Sequence, residues 1–286
     1  MFKKMKNLTI LFALIITFSA CKNKEEQQVK EELIVNTEPS KEVVFAEIPE
    51  EERLMLQQTI DDLNFSIEND PDNPELYFSR GVAKSQLNDH IGAIEDYDRA
   101  LGINATSDLF IYRGFSNAEL KNYSAAIADY TKAIEMYPME PNAYYNRALA
   151  KFNTEDYIGA IKDYTQTLEL DSSRADAYYN RGVSKARIRD YDAAIKDYDM
   201  AIDMHPTSAE AYYNRGFAKV NQQNFSEAIN DFTSAINLNP EFAEAYNNRG
   251  LSHIMLEDRQ KGCSDLQKAA DLGFVNASNA MTEYCN

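Results

Sequence analysis

The sequence has no tryptophan, only 10 glycines among 286 residues, three cysteines and three histidines. Each scarcity closes off a class of chemistry. Without Trp, the indole platforms on which sugar rings stack are missing. The few glycines form no phosphate-cradling loop and no Gly-x-Ser-x-Gly elbow. His90, His205 and His253 share no metal-ligand spacing with the cysteines. No metal, cofactor or enzyme activity is therefore expected. Cations are scarce too: 29 Lys and Arg stand against 46 Asp and Glu, a net charge of −17. So little positive charge cannot neutralise a phosphate backbone, which excludes nucleic acid as a partner.

Long hydrophobic runs are also missing. The longest, Leu8 to Phe18, is interrupted by Thr9 and Thr17, and a bilayer-spanning helix needs about 20 apolar residues. Lys3, Lys4 and Lys6 precede this run, and Ser19, Ala20 and Cys21 follow it. That order is the pattern of a cleaved export signal. Ending in Ser-Ala-Cys, it resembles the bacterial lipobox, with Phe18 where that family usually has an aliphatic residue. The resemblance implies a lipoprotein signal peptide over 1–20 and acyl chains on Cys21. The protein is then expected in the bacterial cell envelope, lipid-anchored to a membrane, with the outer membrane favoured.

Residues 21–49 are charged and poor in aromatics, the composition of a flexible acidic tether. From 50 to 70, Leu54, Leu56, Ile60, Leu63 and Ile67 recur at mostly helical spacing before Asp70-Pro71, so a capping helix is predicted. Beyond it the chain repeats itself. Tyr144-Tyr145-Asn146-Arg147, Tyr178-Tyr179-Asn180-Arg181 and Tyr212-Tyr213-Asn214-Arg215 recur every 34 residues, Tyr246-Asn247-Asn248-Arg249 continues the series, and two weaker copies precede it. The units are 74–106, 107–140, 141–174, 175–208, 209–242 and 243–276. Each holds two apolar stripes of helical period around a break marked by Asp or Asn, whose side chain is placed to cap the second helix.

Within 175–208, Tyr178, Gly182, Ala194, Tyr198 and Pro206 fall where the tetratricopeptide repeat (TPR) has its aromatic, small and closing residues. The chain resembles that family over 74–276. The resemblance implies an all-α fold, a TPR-type solenoid of antiparallel helix pairs wound as a right-handed superhelix, with capping helices at both ends. It also implies protein–protein binding on a concave surface lined by first helices. There the second aromatic and the Asn stand: Tyr145 and Asn146, Tyr179 and Asn180, Tyr213 and Asn214, Asn247 and Asn248. Some members grip a partner's carboxylate with Lys near the start of a unit, where this chain has Glu75, Asp108, Asn142, Asp176, Glu210 and Glu244. A neutral or basic peptide or protein is the expected partner. The alternative is a nutrient- or glycan-capture lipoprotein, since some of those contain helical repeats of this family.

One departure recurs in every unit. Arg80, Arg113, Arg147, Arg181, Arg215 and Arg249 occupy the place before the small residue, where the family has an aliphatic side chain. A half-buried Arg needs a partner. The second helices supply Asp96, Asp129, Asp163, Asp197, Asp231 and Asp265 at matching places, so six structural ion pairs are predicted. At the far end Val275 to Tyr284 read as one more short helix, a cap over 277–286 closing the array. If it turns back near Gly273, Cys263 and Cys285 fall at nearly the same height on antiparallel neighbours, and a disulfide is expected.

Overall fold

The computed structural model describes residues 48–285, so the leader, Cys21 and all but the last two residues of the tether lie outside the described residues. Those residues form fourteen α-helices and no strand. α1 (Glu50–Asn69) precedes six successive helix pairs: α2–α3 (Pro74–Gln86, His90–Ile103), α4–α5 (Ser107–Glu119, Tyr123–Met136), α6–α7 (Pro141–Asn153, Tyr157–Leu170), α8–α9 (Ala175–Arg187, Tyr191–Met204), α10–α11 (Ala209–Asn221, Phe225–Leu238) and α12–α13 (Ala243–Met255, Arg259–Asp271), of which all but α8–α9 are packed hairpins within one compact unit. α14 (Val275–Tyr284) ends the chain. The helices group into two compact units that divide between Asp190 and Tyr191. Within each unit every helix packs against the next in sequence.

The end of the first helix in each pair follows one pattern. The first helix closes with a residue of positive φ: Asn88, Lys121, Glu155, Arg189, Gln223 and Glu257, all between 59° and 65°. In the first hairpin the Asn88 amide donates to the Ser85 carbonyl (3.0 Å) and the Asp89 amide to that of Lys84 (2.9 Å). This pair of bonds satisfies carbonyls that the helix end would otherwise orphan. The next residue opens the second helix. Asp89, Asp156 and Asp258 each accept a bond from a first-turn amide. Asn122 and Asn224 do not, which corrects the expectation of a capping side chain in every unit. The Asn224 amide nitrogen instead donates to Gln222 Oε1 (3.4 Å).

Packing explains the small residues. A Cβ on Gly81, Gly114 or Gly216 would lie 2.6 to 2.9 Å from the ring of Tyr97, Tyr130 or Phe232 on the partner helix. Tyr97, Tyr130, Tyr164, Tyr198 and Phe232 are the largest fully buried side chains. At Gly250 the obstacle is backbone, the Gly262 carbonyl at 2.9 Å. There the two helices make the backbone approach that the small residues imply.

The two ends are finished differently. α1 buries only Ile60, and Leu54, expected on its packed face, is 61% exposed. α14 buries Ala277 and Ala280 against the core containing Leu266 and Ala269. It follows Gly273, whose φ of +88° permits the turn, and begins two residues before the boundary at 277. Cys263 and Cys285 are joined by a disulfide, with Cα atoms 5.7 Å apart.

Candidate binding face

The charged row is a connector between helices. In five hairpins the Arg guanidinium is bidentate on the Asp sixteen residues later: Nε donates to Oδ2 at 2.7–3.1 Å and Nη2 to Oδ1 at 2.5–2.8 Å. These are Arg80–Asp96, Arg113–Asp129, Arg147–Asp163, Arg215–Asp231 and Arg249–Asp265. Arg181 and Asp197 share the repeat 175–208 but fall on either side of the division between the two compact units; Asp197 is buried like its counterparts. The remaining nitrogen, Nη1, reaches the preceding second helix. Arg113 and Arg215 donate to Asp98 and Asp199, and Arg147, Arg181 and Arg249 donate to the hydroxyls of Thr131, Thr165 and Thr233. Arg80, with no hairpin before it, reaches Asn64 of α1. One side chain thus joins two helices of its own hairpin to the helix before, with the planar fork that Lys lacks. For Arg80, Arg113 and Arg249 the hydrogen bond donated to the Asp carboxylate outweighs burial and raises the pKa.

A second cation, four residues after the Arg, is absent from the sequence reading. Lys84, Lys151 and Lys219 place Nζ 2.8 Å from the same carboxylates. Asn117 donates to Asp129 in that place (3.1 Å). The recurrence of Lys there was the available signal. These carboxylates are fully engaged by structural partners, and no cluster of three metal-ligating side chains occurs among the described residues.

Four of the eight residues expected to line a groove are placed otherwise. Tyr213, Asn214, Asn247 and Asn248 are only 4%, 6%, 1% and 3% exposed. Asn248 donates to the Tyr213 hydroxyl (3.0 Å) and Asn180 to that of Tyr145 (2.9 Å), each pair bridging consecutive first helices. This corrects the groove assignment for Tyr213, Asn214, Asn247 and Asn248. The aromatic ring gains more by filling the joint between units than by facing solvent, and the Asn satisfies the hydroxyl that burial would strand. Tyr145 packs edge-on to Tyr164, and the Arg174 guanidinium lies 4.1 Å over its ring while bridging Asp176 and Asn142. Burial pushes the Tyr145 pKa up. Tyr179 and Asn146 are half-buried.

On the first helices α2, α4 and α6 a stripe at i, i+4, i+7 and i+11, the spacing of one helix side, faces outward. On α4 it reads Asp108, Tyr112, Phe115 and Glu119, all exposed. On α2 it reads Glu75, Ser79, Val82 and Gln86, and on α6 Asn142, Asn146, Leu149 and Asn153, with Val82, Asn146 and Leu149 half-buried. In α10 the two middle places, Asn214 and Phe217, are buried.

Sequence models described as tetratricopeptide repeat match residues 74–107, 118–157, 141–174, 175–208 and 209–242, together more than half of the chain. The chain belongs to the tetratricopeptide repeat family. Its fold is similar to the crystal structure of YrrB, described as a TPR protein with an unusual peptide-binding site. That likeness has 22% identity and a TM-score of 0.60, over 66% of this chain and 99% of that one. The crystal structure of MamA aligns at 24% identity and a TM-score of 0.55, over 58% of this chain and 96% of that one. The C-terminal part of a TPR repeat-containing protein from Cytophaga hutchinsonii aligns at 16% and 0.65, over 78% and 94%. At such identities the likeness is one of fold. No curated protein matches the chain. Among the described residues, no helix of this TPR array is long and apolar enough to cross a membrane.

Proposed function

We propose that the protein is a non-catalytic scaffold whose first-helix face binds a peptide or partner protein, held to a bacterial envelope membrane by acyl chains on Cys21. The observation that carries the binding reading is the outward stripe of α2, α4 and α6. The repeat's Arg, Asp and central aromatic residues lie inside the array, whereas the α4 stripe is exposed along its whole length and those of α2 and α6 are exposed at both ends. The peptide-binding site described for YrrB supports the same use of the fold. The Cys263–Cys285 disulfide supports an oxidising compartment. Acidic residues at the start of most first helices favour a neutral or basic ligand over an acidic one.

Two measurements test the two halves. A peptide array probed with the full-length protein in detergent is expected to yield saturable binding; glycan binding with no peptide binding sinks the scaffold reading in favour of nutrient capture. Replacing Cys21 by Ser is expected to move the protein from the membrane to the soluble fraction. An unchanged membrane fraction removes the anchor.

A further inference from the structure

In a repeat array, residues that recur serve the architecture, so a solvent-facing departure in one unit calls for another reason. α4 carries the clearest departure. Where the third to fifth units have Tyr-Asn before the Arg, it has Ile111-Tyr112. Ile111 has no hydroxyl to accept the bond that Asn180 gives Tyr145, and Tyr112 and Phe115 are left 41% and 39% exposed.

Both rings are held from beneath. Tyr112 stands edge-on to Phe78 at 5.0 Å and 6.2 Å from the buried Tyr97, and Phe115 stands 6.1 Å from His90. An exposed aromatic already fixed by its neighbours loses little freedom when a ligand covers it. The stripe has a carboxylate at each end, Asp108 and Glu119, and the one cation of α4, Arg113, is tied to Asp129 and Asp98. Nothing positive on this helix offsets the field along its outer face.

We infer that the Asp108–Tyr112–Phe115–Glu119 stripe of α4 is a docking site for a basic peptide segment, one in which Arg or Lys flanks an apolar side chain. This rests on the peptide-scaffold reading and names the ligand chemistry and the helix. The cations lie over the Tyr112 and Phe115 faces and against the two carboxylates, and the apolar residue sits between the rings. From Asp108 to Glu119 the stripe is about 16 Å long at helical rise, which matches about five residues of extended chain.

The test is fluorescence anisotropy on the full-length protein in detergent. The probes are a short synthetic peptide with Arg on both sides of a Leu and its copy with each Arg replaced by Gln. The Arg peptide is expected to bind about tenfold more tightly than the Gln copy, and less tightly as salt rises. Asp108→Asn with Glu119→Gln, which leaves the rings in place, is expected to remove that preference. Tyr112→Ser with Phe115→Ser is expected to weaken both peptides, with helical circular dichroism retained. Undiminished, Arg-selective binding by both double variants overturns this proposal and leaves the scaffold reading standing. No binding of any peptide to the wild type overturns both. A loss of self-association in the Tyr112/Phe115 variant, with peptide binding unchanged, assigns the stripe to a second copy of the chain instead.

Discussion

The same Arg carries different weight in different units, because its carboxylate partner has a second cation in some and not in others. Asp163 is held by Arg147 and Lys151, whereas Asp129 has Arg113 and the neutral Asn117. Stranding a buried carboxylate costs ~3 to 5 kcal/mol. Arg113→Ala is therefore expected to approach that range, and Arg147→Ala to cost about half as much because Lys151 remains. Urea titrations of the two variants decide it; equal losses mean that the Lys contributes nothing. The central aromatic gives a second prediction. The Tyr164 hydroxyl is buried with no hydrogen-bond partner in the protein, and Phe232 fills the corresponding place in the fifth unit. Tyr164→Phe is expected to be neutral or to stabilise by up to about 1 kcal/mol, and a clear fall in melting temperature counts against it. At this scale the Arg–Asp pairing was legible from spacing alone, because a charge that recurs once per unit on both helices implies contact. The fate of Tyr213 and Asn248 was not. Periodicity places a residue on a helix side, but whether solvent or the next unit covers that side depends on how closely the units stack.

At the scale of the element, the hairpin turn is the place where the chain accepts strain. Five of the six residues closing the first helices at positive φ are Lys, Glu, Arg, Gln and Glu, and only Asn88 is a type that tolerates this conformation well. A Cβ there costs roughly 1 to 2 kcal/mol, partly offset by the unfolded-state freedom that Gly brings. Glu155→Gly is expected to stabilise its hairpin by ~0.5 to 1 kcal/mol, and Asn88→Gly by less. Differential scanning calorimetry on the pair checks the ordering, and a larger gain at Asn88 refutes it. Helix pairs, unit lengths and the break between helices followed from the apolar period and the closing residues. The left-handed turn did not, because no Gly marked it; the signal was the residue just before each Asp or Asn of the break, visible only once the two turn bonds are seen.

For the whole molecule, the contrast between the two ends sets where the array opens first. α1 covers its neighbour with one buried residue, whereas α14 buries Ala277 and Ala280 and is tied to α13 by the disulfide. In a repeat array stability is close to a sum over units and nearest-neighbour contacts, so a terminal constraint acts on the helices beside it. Closing a loop of 22 residues constrains the unfolded chain by about 3 kcal/mol in the entropy model. Hydrogen exchange of the intact protein is expected to show α1 opening at low free energy and α14 protected. Reduction of the disulfide is expected to accelerate exchange in α13 and α14 while leaving α2 to α7 at their original protection. Acceleration spread evenly over all helices means that the array opens as one cooperative body and that the bridge acts on the whole of it. The capping role at this end was legible in the loss of the closing Pro, in Gly273 and in the position of the two cysteines. The weak cover at the other end was not, because Leu54 follows a helical period yet stays exposed.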